Sequence, residues 1–343
     1  MASNVPAPRP RRAFPQIAPV TWEHPADRAA LQALRAIPGV DEVIRKVLGL
    51  LGGERGVRLL FQANAVKVGP TQFPRLWQMH VEMCATFDWE HVPELYVTQT
   101  PTFNAGAYGI DDPFIVIHSA ALELLEDDEI RALLAHELGH VMSGHSLYQT
   151  IAVILTMVSL SALPLFAGIA LFPIKLAFLE WSRKAELTAD RCGMLGSQDA
   201  LVMQRKFMKM AGGGRGEWFT AADLNAEAFM IQAHEYASAN EAMDIVYKVI
   251  NTLGLTHPMA TVRAGEIQKW IASGDYDRIL RGEYVKRGTP EADRPLQDHA
   301  RQAKDYYAEE IRDMGQKVGA AAKQAAENIR EAFRNAQSKS GAS

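Results

Sequence analysis

The chain has 343 residues, a formal net charge of -4 and 48% hydrophobic content. A chain of this length and hydrophobicity can bury a substantial core in one or two domains. The small net negative charge predicts no nucleic-acid partner. Cys84 and Cys192 are distant in sequence, and the N-terminus has no apolar signal-peptide core. We therefore expect a reducing compartment and a cytoplasmic location, either soluble or at the inner face of the cell membrane.

The first quarter of the chain combines a proline-rich start with helical patterns. Residues 1–25 hold six prolines and three arginines, which predicts a flexible arm. Apolar residues over 26–51 recur at helical spacing, with a break at Pro38. The stretch 57–68 is typical of a short hairpin or paired strands, and 73–87 of a helix. Three strand-like runs then follow over 94–99, 103–109 and 114–119, which predicts a small sheet.

A zinc-hydrolase motif follows the predicted sheet. His136, Glu137 and His140 form the pattern H-E-x-x-H, and Asp127 and Asp128 upstream can cap the helix that carries it. On a helix, histidines four residues apart project from one face and can share a metal ion. Glu137 lies beside them and can take a proton from a water molecule.

A second stretch, W-S-R-K-A-E-L-T-A-D-R-C-G-M over 181–194, supplies acidic candidates. A catalytic zinc usually has three protein ligands, and Glu186 is the candidate third ligand. Asp190 follows one helical turn later, where it can accept a hydrogen bond from a liganding imidazole. His145 is one residue short of the position that a third histidine ligand would need, so we predict a surface or packing role for it. The ligand set is that of a gluzincin.

The apolar segment between the two motifs predicts a helical hairpin over 146–180. It has no charged residue over 146–174 and is a transmembrane candidate by composition. A single crossing is excluded because His140 and Glu186 must reach the same metal ion. Two full spans would need roughly 40 apolar residues, which the segment does not have. Insertion in a bilayer, a dip into one leaflet, and burial on the protein or in an oligomer interface all remain open.

Four separated stretches resemble the HtpX-like and CAAX prenyl protease family of zinc metallopeptidases. They are H-E-L-G-H at 136–140, S-R-K-A-E-L-T-A-D at 182–190, F-N-A-G-A-Y-G at 103–109 and T-H-P-M-A-T-V-R at 256–263. Their order and spacing are specific in a way that no single stretch is. The resemblance extends from about residue 95 to about residue 270.

The resemblance implies an α+β, mostly helical, gluzincin-like fold with a small mixed sheet over the H-E-x-x-H helix. It also implies roles outside the metal ligands. His257 would hydrogen-bond the oxyanion formed during peptide hydrolysis, and Arg263 would pair with Asp190. A sheet edge would bind extended substrate as an added strand, through Asn104, Ala105, Gly106 and Ala107.

These observations predict a zinc-dependent endopeptidase with one Zn²⁺ per chain that hydrolyses protein substrates, with a role in protein quality control at or near the membrane. The alternative is a zinc-bearing, cleavage-incompetent scaffold or membrane-associated adaptor. We expect the peptidase domain to cover 26–285, and an amphipathic helix and tail to cover 286–343. The hairpin allows membrane contact, and oligomerisation is open.

Overall fold

The computed structural model describes residues 11–157, 171–214, 219, 224–239 and 259–292. Most of these residues are helical. The helices are α1 (Pro25–Arg35), α2 (Val40–Leu51), α3 (Gly53–Gln62), α4 (Pro74–Thr86), α5 (Ser119–Leu124), α6 (Asp127–Met142), α7 (Ser146–Met157), α8 (Leu171–Ser197), α9 (Ala200–Gly212), α10 (Ala226–Ser238), α11 (Ala260–Ala272) and α12 (Asp275–Leu280).

A small mixed sheet of four strands accompanies these helices. The strands are β1 (Ala65–Lys67), β2 (Glu94–Thr98), β3 (Ala105–Tyr108) and β4 (Phe114–His118), in the spatial order β1-β2-β4-β3. The central pair, β2 and β4, is parallel, and each outer strand runs antiparallel to its neighbour. The predicted mostly helical α+β class is therefore confirmed, and β3 is an edge strand of this sheet.

Helix α6, which carries the H-E-x-x-H motif, is buried on all sides. Every residue from Glu129 to Met142 is buried, because α4, α8, α9 and the sheet surround the helix. A capping box starts it, in which Glu126 accepts from the backbone and the Glu129 side chain accepts from the Glu126 N–H. This capping corrects the prediction of an aspartate cap. Full burial is why the motif helix lacks the polar face of a surface helix.

Helices α6 and α8 cross in close contact at Gly139. A Cβ atom at this position would lie 2.6 Å from the Cβ atom of Cys192 and 3.4 Å from the Cα atom of Ala189. Any side chain at position 139 would therefore push the helices apart. Because Glu186 lies about one turn before Ala189, this close crossing brings its carboxylate opposite the motif histidines.

The predicted flexible arm over 1–25 is wrong for the residues that the structure describes, which begin at 11. Phe14, Ile17 and Trp22 are almost completely buried in the main core. The folded domain also extends beyond its predicted end at residue 285, since Ile17 forms a β-bridge with Lys286. Burial of large apolar side chains outweighs the extended tendency of the prolines around them.

The predicted hairpin or pair of strands over 57–68 is wrong for its first half, because residues 57–62 belong to α3. Only Ala65–Lys67 is a strand, paired with β2. Val57 and Phe61 are four residues apart and pack on the same aromatic cluster as Phe114. This helical pairing decides the conformation of a short apolar run whose local pattern suits either structure.

The described parts of the apolar segment pack on the protein. Side chains of α7 and of the first half of α8 form a second core with α1 and α2. Within the described ranges, no helix has the length and apolar character needed to cross a membrane. Three predicted features lie wholly or partly outside the described residues: the position of His257, residues 158–170 of the helical hairpin, and the C-terminal helix and tail beyond residue 292.

Candidate metal centre and active site

Helices α6 and α8 bring together the three predicted ligands. The Nε2 atom of His136 lies 3.4 Å from the Oε2 atom of Glu186, and the Nε2 atom of His140 lies 3.3 Å from its Oε1 atom. One ligand atom from each residue lies within 4.8 Å of the other two, and all three residues are buried. This group could hold a metal ion.

Asp190 lies beside the first histidine. Its Oδ1 atom lies 3.1 Å from the Nδ1 atom of His136, on the side of the ring away from Glu186. An N–H at Nδ1 leaves the Nε2 lone pair directed at the candidate metal position. The structure therefore places Asp190 next to a candidate ligand, and its role toward that ligand stays a prediction.

Arg263, on α11, holds Asp190 in place through a bidentate ion pair. Its Nε and Nη2 atoms donate to the two carboxylate oxygens at 2.7 and 2.6 Å, and its Nη1 atom lies 3.1 Å from Glu186 Oε2. Burial raises the pKa of Asp190, but the charge and hydrogen bonds of Arg263, the hydrogen bond from His136 and the charge of Lys206 together hold that pKa well below its usual range. Asp190 is therefore ionised and fixed where it meets His136.

The second histidine, His140, contacts a row of buried side chains that was not predicted from the sequence. The Nδ1 atoms of His140 and His145 are 3.0 Å apart, and the Nε2 atom of His145 lies 3.0 Å from Asp27 Oδ2. Asp27, on α1, also accepts hydrogen bonds from Thr188 and Trp181. His145 is thus buried rather than at the surface, and it contacts a candidate ligand. Its only signal in the sequence was its position five residues after His140.

Glu137 lies beside the three candidate ligands. Its side chain is 4% exposed, and its Oε1 atom lies 4.0 Å from the Nε2 atom of His136. Two cavities border it; one is also lined by Phe103 and His136, and the other by Tyr108 and His140. A carboxylate in this location can exchange a proton with a water or substrate atom that enters either cavity.

The edge strand runs past the same group. Ala105, Gly106 and Ala107 each pair with β4, and Asn104 comes immediately before β3. Asn104 and Ala105 border both cavities together with Glu137 and Glu186. The four residues predicted to bind substrate therefore line or adjoin the cleft.

Lys206, on α9, is a buried cation near the candidate metal centre that the sequence analysis did not single out. Its Nζ atom lies 3.7 Å from Asp190 Oδ1 and donates no hydrogen bond to a described residue. Burial lowers its pKa to about 8, although Asp190 raises that pKa. A lone lysine in an amphipathic helix carries no sequence signal that separates it from a surface lysine.

Replacing Lys206 with methionine is expected to stabilise the metal-free protein at pH 7. The unfolded chain binds more protons than the folded chain between pH 8 and 10.5, so the cost of burying the ammonium is complete below pH 8. We expect a gain of about 2–3 kcal/mol in the free energy of unfolding at pH 7, and a smaller gain at pH 9.5. Urea unfolding at both pH values measures it.

The exposed Lys269 offers a matched control, since its ion pair with Glu266 is at the surface. Lys269→Met should change stability by less than about 1 kcal/mol. A loss of stability in Lys206→Met at pH 7 would instead mean that the lysine holds Asp190 favourably.

The donor set fits a single divalent metal ion. Both histidines have their Nδ1 atoms engaged, by Asp190 and by His145, and both Nε2 atoms face Glu186. Two imidazoles and one carboxylate with an acid alongside define a candidate mononuclear metal centre of the H-E-x-x-H class.

The chain belongs to peptidase family M48, whose family model matches residues 70–271. Members of this family are metallopeptidases, so the match supports a metal-dependent peptide hydrolase. It favours the peptidase prediction over the alternative of a cleavage-incompetent scaffold.

Individual relatives agree with this assignment. Plastoglobule-localized metallopeptidase 48, chloroplastic, from Arabidopsis thaliana is 36% identical over 263 residues, which cover 76% of this chain and 75% of that protein. A protease HtpX homolog from Pseudarthrobacter chlorophenolicus is 26% identical over 60% of this chain and 75% of its own length. One from Tropheryma whipplei is 34% identical over 24% of this chain and 28% of its own length. No solved structure matches the chain significantly. The resemblance to HtpX-like peptidases is thereby confirmed.

Proposed function

We propose that this protein is a zinc-dependent endopeptidase of the gluzincin type that hydrolyses internal peptide bonds of protein substrates. The observation that carries the proposal is the convergence of His136, His140 and Glu186 beside Glu137, under the edge of the sheet. Zinc is the proposed metal because two imidazoles and one carboxylate are a common ligand set of catalytic zinc.

In this proposal His136, His140 and Glu186 hold one Zn²⁺. When bound, the metal lowers the pKa of water and polarises the substrate carbonyl group. Glu137 accepts the proton of the attacking water and passes it to the leaving amine. By its resemblance to the family, His257 stabilises the oxyanion.

The other buried groups hold the ligands in place. Asp190 with Arg263 orients the ring of His136, and His145 orients that of His140. Fixed orientation matters because a ligating imidazole must present its lone pair to the ion.

Substrate is proposed to bind as an added strand along β3. An edge strand offers unpaired N–H and C=O groups, and the small side chains of Ala105, Gly106 and Ala107 allow close approach of another backbone. Membrane contact through 146–180 stays a prediction, which vesicle flotation of the full chain would test. A role in protein quality control at or near a membrane also stays a prediction.

Chelation of the metal is expected to abolish cleavage of unfolded casein, and one equivalent of Zn²⁺ per chain should restore it. The same addition should raise the melting temperature, because an ion that binds only the folded state at 1,000 times its Kd adds about 4 kcal/mol of stability. Fluorescent-casein assays and thermal melts measure the two effects.

Variants separate this site from adventitious metal. His140→Ala should lose the bound zinc and the activity, whereas His91→Ala, at an exposed histidine paired with Asp112, should keep both. Cleavage that persists after complete chelation would contradict the proposal.

A further inference from the structure

Two cavities of very different size adjoin the candidate metal ligands, and they extend toward different ends of β3. The wide cavity, about 530 Å³, extends past Phe103, Leu133 and Met210, which is space for large side chains. The narrow cavity, about 50 Å³, is closed by Gly106, Tyr108, Gln149, Ala152 and Val153. It has room for only a few water molecules. A peptide lying along β3 across the metal position would therefore meet unequal space on the two sides of the cleaved bond.

The side chain of Tyr108 limits the volume of the narrow cavity. Residues 106 and 108 point to the same face of β3, because side chains alternate along a strand. A Cβ atom at Gly106 would lie 2.3 Å from the hydroxyl oxygen of Tyr108 and 2.5 Å from its Cζ atom. The phenol therefore occupies the space that a side chain at position 106 would fill, and Gly106 is required for it to lie there.

The Tyr108 ring packs on Phe61 and lines the narrow cavity together with Glu137 and Glu186. The Tyr108 ring stacks on Phe61 with centroids 4.3 Å apart and planes 19° apart. Burial, and then the charges of Glu137 and Glu186, raise the pKa of Tyr108, as expected for a phenol that shares a cavity with these carboxylates. Its hydroxyl makes no hydrogen bond to a described residue. A packed ring whose tip borders the cleft is placed to contact substrate.

We propose that Tyr108 determines substrate specificity by restricting one subsite, so that the residue on that side of the cleaved bond must have a small side chain. The inference rests on the proposed peptidase function. The ring limits the size of the side chain, and removing the ring opens the narrow cavity toward Phe61. The subsite on the other side, formed by the wide cavity, is unaffected by position 108.

Cleavage-site profiling tests the proposal. Unfolded casein is digested by the zinc-loaded full chain, and mass spectrometry identifies the residues on both sides of each cut. We expect the native protein to cut next to Gly, Ala or Ser on one fixed side. Tyr108→Ala should increase the share of cuts with Leu or Phe at that position by about 10-fold, the size of discrimination that a few methylene groups give.

Three further variants make the result specific. Tyr108→Phe keeps the ring and should keep the preference for small side chains, whereas a shift in this variant would assign the selectivity to the hydroxyl and overturn the proposal. Tyr96→Phe, in the same sheet but bonded to Glu94 and Gln62, should change neither rate nor preference. Tyr108→Val, with a side chain that suits a strand, replaces Tyr108→Ala if that variant does not fold. An unchanged profile in the folded variant contradicts the proposal.

A binding measurement separates this inference from the proposed function. Absence of all cleavage by the native, zinc-loaded chain would contradict the peptidase function. The size limit of the subsite is then measured as peptide affinity. Fluorescein-labelled decapeptides of alternating Ser-Ala or Ser-Leu are bound to Glu137→Gln protein. Adding Tyr108→Ala should tighten binding of the Ser-Leu peptide about 10-fold and leave the Ser-Ala peptide unchanged. Equal effects on both peptides would overturn the assignment of Tyr108.

Discussion

Replacing Glu137 with glutamine is expected to lower the rate of casein cleavage by about 10²–10⁴-fold, the range of a lost general base. The amide has almost the shape of the carboxylate but cannot accept the proton of the attacking water at neutral pH. Because Glu137 is not one of the three candidate ligands, the variant should still bind one zinc per chain. The initial rate of cleavage and the metal content measured by atomic emission test both parts.

Measuring the stability of this variant should separate loss of chemistry from loss of fold. Glu137 lines the same two cavities as another buried acid, Glu186, so removing one negative charge should leave the melting temperature unchanged or raise it. Glu90→Gln, at an exposed acid outside the site, is the matched control and should retain full activity. Native-like cleavage by a zinc-loaded Glu137→Gln protein would remove this residue from its proposed role.

Replacing Arg263 with methionine should destabilise the metal-free protein by about 3–5 kcal/mol, the usual cost of breaking a buried ion pair from one side. Among the described lysines and arginines, the substitution leaves Asp190 with the more distant Lys206, and it removes the Nη1 contact to Glu186. Both carboxylates stay buried. Urea unfolding at pH 7 measures the loss, which should be smaller with zinc bound because the metal compensates Glu186.

An exposed arginine–aspartate pair provides the control for this experiment. Arg278 and Asp275 are 2.6 Å apart, but their side chains are 59% and 45% exposed. Arg278→Met should therefore cost less than about 1 kcal/mol.

Two further variants test the role of Arg263 itself. Arg263→Lys keeps the charge but not the planar fork, and should give an intermediate loss. In Arg263→Met/Asp190→Asn part of the stability should return, because the aspartate charge is then absent. Equal losses in Arg263→Met and Arg278→Met would contradict the structural role given to the buried pair.

The contribution of Asp190 has a defined pH range. Its folded-state pKa is depressed, so the stabilisation that it provides is present above the ordinary aspartate pKa of about 3.9 and is lost as the pH falls below that value. Native and Arg263→Met proteins should therefore approach each other in stability in strongly acidic solution.

The candidate metal ligands and the long helices could be predicted from local sequence pattern. H-E-L-G-H and E-L-T-A-D are short motifs on single helices, where spacing alone decides which side chains share a face. The edge strand with Asn104 to Ala107 was predicted in the same way, from its period and its resemblance to a known family. These features depend on neighbours within about one helical turn or one strand.

Other parts depend on contacts between distant segments and could not be predicted from local pattern. Asp27, His145, Lys206 and Tyr108 are single residues whose roles follow from partners in other segments. The start of the chain resembles an extended arm by composition, yet Phe14 and the side chains near it pack into the core.

The sequence by itself therefore determined the chemistry of this protein: a metal-binding pair of histidines, a third acidic ligand and an acid placed for proton transfer. Only the tertiary structure decided how those groups are oriented, which buried charges compensate them and how much space lies on each side of the metal position. The physical reason is that ligand spacing is set by helix geometry within a few residues. Burial, charge pairing and cavity shape are set by helices and strands that meet from all parts of the chain.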